Sequence, residues 1–149
     1  MYKFLFIPCV LFISSFTVIA EQTYVSGSAP WAIQIHMKEA KRYKEQTTNL
    51  NTTILKYLND SDQAQDFNKY TKSWEQYVND TCAVVAITSG TSGTRRSVYA
   101  AKCQEGLNYN RYFATKNALK CVKRVKNKKY IERGEKFNCL LQTFNIKVY

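Results

Sequence analysis

The chain offers little to the residue combinations that carry out nucleophilic catalysis. His36 is its single histidine, so a Ser-His-Asp triad or a Cys-His pair would have little to build on. This histidine falls near the start of a predicted helix, where a surface or half-buried position is expected rather than a ligand position. The chain contains carboxylates such as Asp62, Asp66, Glu75 and Glu105. Two of them could serve a glycosidase, or all could be solvated partners of nearby basic residues. We expect a protein that is not an enzyme.

The cysteines indicate disulfides rather than a metal site. One of the five, Cys9, lies in an apolar N-terminal run, and four remain: Cys82, Cys103, Cys121 and Cys139. Zinc sites use close pairs such as Cys-x-x-Cys, whereas these cysteines are 21, 18 and 18 residues apart. An even number of distant cysteines in an exported chain is typical of disulfide bonding. We therefore expect no metal and no cofactor.

The first 20 residues have the pattern of a signal peptide. Lys3 precedes an apolar run at 4–19, and Val18 and Ala20 form a small-residue cleavage site before Glu21. An uncleaved membrane anchor is the alternative, because about 18 apolar residues can span a bilayer. Hydroxyl side chains interrupt the run, which favours cleavage. The pattern predicts a protein exported to the periplasm or secreted.

Positive charge dominates the chain. Its formal net charge is +11, and removal of Lys3 with the signal peptide leaves +10. Five basic residues crowd near the C-terminus: Lys123, Arg124, Lys126, Lys128 and Lys129. They form either a solvated face or a surface that attracts a polyanion, such as lipopolysaccharide, an acidic glycan, nucleic acid or an anionic membrane. No aromatic residue occurs in this run before Tyr130, so specific nucleic-acid recognition is not indicated.

Hydrophobic periodicity predicts helices over most of the chain. Residues 21–36 are assigned to a leader that opens with a Ser, Gly and Pro-rich stretch. A first helix follows, with an inner face of Met37, Ala40, Tyr43, Thr47, Leu50, Ile54 and Tyr57 or Leu58. Asp60 and Gln63 have capping-box spacing and start a second helix. Its inner face consists of Phe67, Tyr70, Trp74, Tyr77 or Val78, and Cys82.

A segment rich in Gly and Ser at 88–97 separates the second helix from a third and is expected to be a loop. The third helix turns Tyr99, Cys103, Leu107, Ala114 and Ala118 inward and leaves Glu105, Arg111 and Lys116 available to solvent or a partner. Residues 121–149 form a basic C-terminal extension, whose alternating apolar positions 144, 146 and 148 fit a short strand or a helix. The fold class is mainly α: a small, disulfide-linked three- or four-helix bundle.

The sequence contains a set of short motifs: the pair Leu50-Asn51, the stretch SWEQYVNDTC at 73–82, the glycines 90 and 93, and Cys103 followed by Arg111. Together they resemble the lysozyme inhibitor LprI family of small exported bacterial helical domains. The resemblance covers residues 37–120. Asn79 stands where the family usually has Arg, Ile54 where Tyr is common, and the basic extension has no counterpart.

The resemblance implies several features of this chain. Cys82 is expected to bond to Cys103, which leaves Cys121 for Cys139, although four cysteines permit three pairings. Leu50, Trp74 and Tyr77 are expected to form the core of the motif. The implied function is that of an exported, non-enzymatic lysozyme inhibitor.

Three arginines are candidate partner-binding residues: Arg95, Arg96 and Arg111. The first two lie in the Gly-rich segment, which could enter a cleft whose working parts are two carboxylates or could be an ordinary connection. A charge of +10 would repel a basic lysozyme at long range. The competing hypothesis is a protein that binds a polyanion or a host surface through its basic extension.

We predict that export removes residues 1–20, with cleavage between Ala20 and Glu21. The small residues at Val18 and Ala20 fit the specificity of signal peptidases. An intact-mass measurement of the exported protein should match residues 21–149. A mass that includes residues 1–20 would instead indicate an anchor.

Overall fold

The structure, a computed structural model, describes residues 25–58, 61–126, 133–141 and 143. These residues form four helices: α1 (Ala29–Leu55), α2 (Ser61–Thr88), α3 (Gly93–Lys126) and α4 (Arg133–Leu141), and no strand occurs among them. The prediction of a mainly α, disulfide-linked bundle is confirmed. The predicted signal peptide at 1–20 and the alternating segment at 144–148 lie outside the described residues.

Helix α1 begins earlier than the sequence indicates. Ser28 is its N-cap, and the Ser28 hydroxyl accepts a hydrogen bond from the Trp31 backbone N–H at 3.3 Å. Pro30 lies in the first turn, where a missing N–H breaks no helical hydrogen bond. The assignment of residues 21–36 to a leader is therefore wrong from Ala29 onward.

Helix α3 is the element on which the other three pack. Helix α1 runs parallel to it: His36 contacts Glu105, and further along Tyr43 contacts Tyr109, with ring centroids 5.2 Å apart. Helices α2 and α4 also lie against α3, whereas α1 and α2 barely touch each other. This arrangement leaves a groove between α1 and α2, with α3 as its floor.

The hydrophobic core lies at the end of the bundle where α1 ends and α2 begins. It is formed by buried residues from all four helices and the α1–α2 connection: Ile54, Leu58, Phe67, Ala118, Leu119, Val122, Val125, Cys139 and Leu140. The boundary predicted at residue 121 falls inside α3 and inside this core. Residues 121–126 and α4 are therefore part of the bundle and not an extension separate from it. Three residues of the basic run, Lys123, Arg124 and Lys126, occupy the last turn of α3, where positive charge interacts favourably with the helix dipole.

Two disulfides link the helices in the predicted pairing. Cys82–Cys103 joins α2 to α3, and Cys121–Cys139 joins α3 to α4. Disulfides form and persist in oxidising compartments, so the fold belongs to a non-cytoplasmic environment. Within the described part of the chain, no helix is long and apolar enough to cross a membrane.

The inner face of α2 passes through Val78 and not through Tyr77. Val78 is 5% exposed and Tyr77 is 50% exposed. Adjacent residues differ by about 100° around a helix, and the row from Phe67 to Cys82 takes the position of Val78. Tyr77 is therefore not a core residue, while Leu50 and Trp74 are half-buried. Met37 and Tyr99, which we expected to face inward, are also exposed.

Replacing both Cys121 and Cys139 with Ala should lower the free energy of unfolding by about 3 kcal/mol. The bond closes a loop with a sequence separation of 18, and its loss lets the unfolded chain explore more conformations. Urea denaturation of the purified protein measures the change. The Cys82→Ala/Cys103→Ala variant provides the comparison, because the sequence separation of 21 between its two cysteines predicts a similar loss of unfolding free energy. An unchanged denaturation midpoint in both variants would contradict this expectation.

Candidate functional site

The connection between α2 and α3 is shorter than the predicted loop at 88–97. Helix α2 continues to Thr88 and α3 begins at Gly93, so the connection is residues 89–92. Gly90 and Gly93 have φ angles of +67° and +61°, which glycine adopts without the strain a Cβ would cause. No Gly or Pro occurs between Gly93 and Gly106, so the helix propagates directly from the turn.

Arg95 and Arg96 consequently lie in the first turn of α3 and not in a projecting loop. Both are exposed. The Arg96 Nε donates a hydrogen bond to the Thr91 carbonyl at 3.2 Å, which holds this side chain against the turn. The predicted long loop is wrong, but the two arginines do stand at one end of the molecule.

Large apolar side chains are exposed at this same end. We define the α2–α3 end as residues 84–99, and its exposed apolar residues are Val84, Val85, Ile87 and Tyr99. Val84 and Ile87 are 58% and 64% exposed, respectively. Exposed apolar residues grouped with polar neighbours are typical of interaction surfaces. The α2–α3 end therefore offers both apolar area and two guanidinium groups to a partner.

A second candidate site is the α1–α2 groove, which has a volume of about 400 Å³. Its walls carry mostly hydroxyl, amide and charged side chains, and its floor carries three residues of α3: Gln104, Asn108 and Arg111. One ion pair joins the two walls, because Lys44 Nζ lies 3.1 Å from Glu75 Oε1. The groove is therefore a polar cleft.

Arg111 is buried in the floor of this groove and is only 3% exposed. Its Nη1 donates hydrogen bonds to the Tyr70 hydroxyl and to the Thr143 carbonyl. Its guanidinium carbon lies 4.2 Å from the centre of the Tyr70 ring and 5.1 Å from the centre of the Trp74 ring. The expectation that Arg111 faces solvent is wrong, because helical spacing places it on the same buried face as Asn108 and Thr115.

Few interactions compensate the charge of the Arg111 guanidinium for its loss of hydration on burial. Burial lowers the pKa of Arg111, and its interaction with Tyr70 acts in the opposite direction. Burial also raises the pKa of the Tyr70 hydroxyl, against the effect of Arg111. None of the described carboxylates forms an ion pair with Arg111.

Several buried polar atoms at the groove have no hydrogen-bond partner among the described residues. They are Nε and Nη2 of Arg111, Nε1 of Trp74 and Oδ1 of Asn51. Buried polar atoms are nearly always paired in folded proteins, so unpaired ones grouped around a cleft indicate a place where a ligand can bind. Sequence reasoning missed this groove. The available signal was the polar series Asn108, Arg111 and Thr115, which recurs at helical spacing within a buried face.

Two of the four carboxylates considered for glycosidase chemistry, Glu75 and Glu105, contact basic side chains of other helices. Glu75 pairs with Lys44, and Glu105 Oε2 lies 2.5 Å from His36 Nδ1 in a contact that joins α1 to α3. His36 is half-buried, as the sequence indicates. No group of His, Cys, Asp and Glu side chains suited to a metal ion occurs in the part of the chain that the structure describes.

Comparisons of this chain with protein-family models, with curated proteins and with solved structures find no match. The class defined by the fold is a disulfide-linked helical bundle.

Replacing Arg111 with Met should leave the free energy of unfolding unchanged within about 1 kcal/mol, or raise it. The folded-state pKa of Arg111 lies below that of the unfolded chain, so at neutral pH its charge is a penalty to folding. The Tyr70 hydroxyl still donates to the Thr143 carbonyl at 3.2 Å after the substitution, so both atoms keep a partner.

Urea denaturation at neutral pH measures this effect. Arg124→Met, an exposed change on the same helix, controls for helix propensity. Ile54→Ala, in the core, should lose about 2–5 kcal/mol. A loss of that size for Arg111→Met would show that the arginine serves stability.

Proposed function

We propose that the chain is an exported, non-enzymatic binding protein that inhibits a lysozyme through its α2–α3 end. The observation that supports this is the combination of exposed apolar side chains, such as Val84 and Ile87, with Arg95 and Arg96 on a disulfide-linked helix pair. The sequence motifs that resemble LprI-type inhibitors are the second support.

The chemistry of the α2–α3 end suits a carboxylate-bearing cleft. Guanidinium groups form charge-assisted hydrogen bonds with carboxylates, and glycosidase clefts contain two of them. The first turn of α3 is an unfavourable place for positive charge, because the N-terminus of a helix dipole is itself positive. Helix stability therefore does not account for Arg95 and Arg96, whereas binding an anionic partner does.

Rigidity favours the same role. The Cys82–Cys103 bond fixes α2 against α3 beneath the exposed residues, and the Arg96 side chain is held against the turn by the Thr91 carbonyl. A surface that is already ordered loses less conformational entropy on binding. Occupying a cleft blocks substrate without any catalytic residue in the inhibitor.

The competing proposal is binding of a polyanion or a host surface through overall charge. The formal net charge, +11 for the whole chain and +10 without residues 1–20, supports attraction to polyanions and opposes long-range approach to a basic lysozyme. Salt separates the two proposals. Binding through overall charge is lost steeply as ionic strength rises, whereas a complex held by short-range fit survives moderate salt.

The variant Arg95→Ala/Arg96→Ala should weaken binding to the inhibited lysozyme by about 2 kcal/mol, or roughly 30-fold in Kd. Both side chains are exposed, so the fold should be unaffected. Calorimetry and inhibition assays against a panel of lysozymes measure the effect at moderate salt.

The matched control is Lys123→Ala/Arg124→Ala, which removes two positive charges from the opposite end of α3. It should leave binding nearly unchanged. Ile87→Ser tests the apolar part of the surface and should also weaken the complex. Equal losses in the two double variants, or binding to no lysozyme in the panel, would overturn the proposal.

A further inference from the structure

One edge of the Arg111 guanidinium is the least satisfied group in the described structure. Nη1 is engaged by Tyr70 and Thr143, whereas Nε and Nη2 have no partner. Nε and Nη2 form one side of the planar guanidinium, and their N–H bonds on that side are parallel. This is the geometry that binds the two oxygens of a carboxylate in a bidentate pair.

We propose that the α1–α2 groove binds a small acidic saccharide, with the ligand carboxylate on the Nε and Nη2 edge of Arg111. This site is separate from the α2–α3 end and does not depend on the function proposed for that end.

The charges around the groove favour an anion. Lys44, Lys72 and Arg111 line it together with a single acid, Glu75, whose charge is already shared with Lys44. No described carboxylate competes for Arg111. Trp74 Nε1 is a further unpaired donor at the same site. A carboxylate in the groove would therefore neutralise a buried charge and satisfy donors that now lack acceptors.

The rest of the lining favours a ligand rich in hydroxyl groups. Apart from Leu55, Val78 and the Trp74 ring, every lining side chain is polar or charged. Amide side chains such as Asn51 and Asn108 can both donate and accept, which matches a hydroxyl group. A volume of about 400 Å³ lies in the range of small-molecule sites. These features describe a sugar that carries a carboxylate better than an apolar acid.

Access to Arg111 requires a small movement. Its Nε and Nη2 are buried, and the ring of Trp74 stands 5.1 Å from the guanidinium carbon at the groove. Helices α1 and α2 make few contacts with each other, so the groove can widen without disrupting the core. A ligand that reaches Arg111 must change the surroundings of Trp74, which makes this residue a reporter of binding.

The test uses the Trp31→Phe variant of the purified protein, in which Trp74 is the remaining tryptophan of the two in the chain. Titration with glucuronate should give a saturable change in fluorescence, with a Kd confirmed by calorimetry. Glucose, which lacks the carboxylate, and inorganic sulfate, which is an anion without the sugar, should each bind at least tenfold more weakly.

Variants locate the site. Arg111→Lys keeps the charge but lacks the paired N–H edge, and it should weaken glucuronate binding at least tenfold. Lys102→Ala is the control, because Lys102 is exposed on α3 and does not line the groove. The Arg95→Ala/Arg96→Ala variant should bind glucuronate as the unchanged protein does, so failure of one proposal does not imply failure of the other.

Several outcomes would overturn the inference. These are the absence of a saturable response to millimolar glucuronate, equal affinity for glucose or for sulfate, and unchanged affinity in Arg111→Lys. If Arg111→Lys does not fold, Trp74→Phe and Lys72→Ala take its place, with calorimetry as the readout. The first removes a donor while keeping a ring, and the second removes a charge at the exposed rim. Unchanged affinity in both would overturn the inference equally.

Discussion

The packing of the other three helices against α3 determines the rest of the structure. Along α3 the buried residues change from Ala101, through the polar group at 108–115, to the apolar group at 118–125. The chemical character of each zone determines which part of the structure forms against it. The apolar zone builds the core with α4 and the joined ends of α1 and α2, and the polar zone becomes the floor of the α1–α2 groove. The zone around Ala101 supports an end with little core.

Arg111 shows why the buried polar residues at 108–115 are not equivalent to an apolar core. A buried guanidinium loses hydration, and in this bundle it recovers two hydrogen bonds and the faces of two aromatic rings but no described ion pair. An apolar side chain of similar volume would avoid that loss. The contacts from Tyr70 and Thr143 instead fix one nitrogen and leave the opposite edge unpaired. Such an arrangement orients a donor pair, which is what a binding site needs.

The fold could largely be predicted from the sequence, whereas the sites could not. Apolar periodicity and cysteine spacing are local signals, and they were sufficient for the helical bundle and, with the family resemblance, for both disulfides. Periodicity does not distinguish between adjacent residues such as Tyr77 and Val78 as the buried position of a helix. It also does not show at which residue a Gly-rich turn ends and the next helix begins. It also assigned Arg111 to the surface because charge usually indicates exposure. Only the approach of α2 and Thr143 to α3 reveals that this arginine is buried.

The two disulfides lie at different ends of the molecule. These ends differ in how much apolar surface they bury. Near Cys121–Cys139, large side chains such as Ile54 and Val122 are fully buried, and the bond adds to an existing core. Near Cys82–Cys103, the buried neighbours include the small residues Ala86 and Ala101, while Val84 and Ile87 remain exposed. Burial there contributes little, so the covalent bond supplies constraint that a core would otherwise provide. The large apolar residues at this end therefore stay on the surface while the disulfide holds α2 against α3.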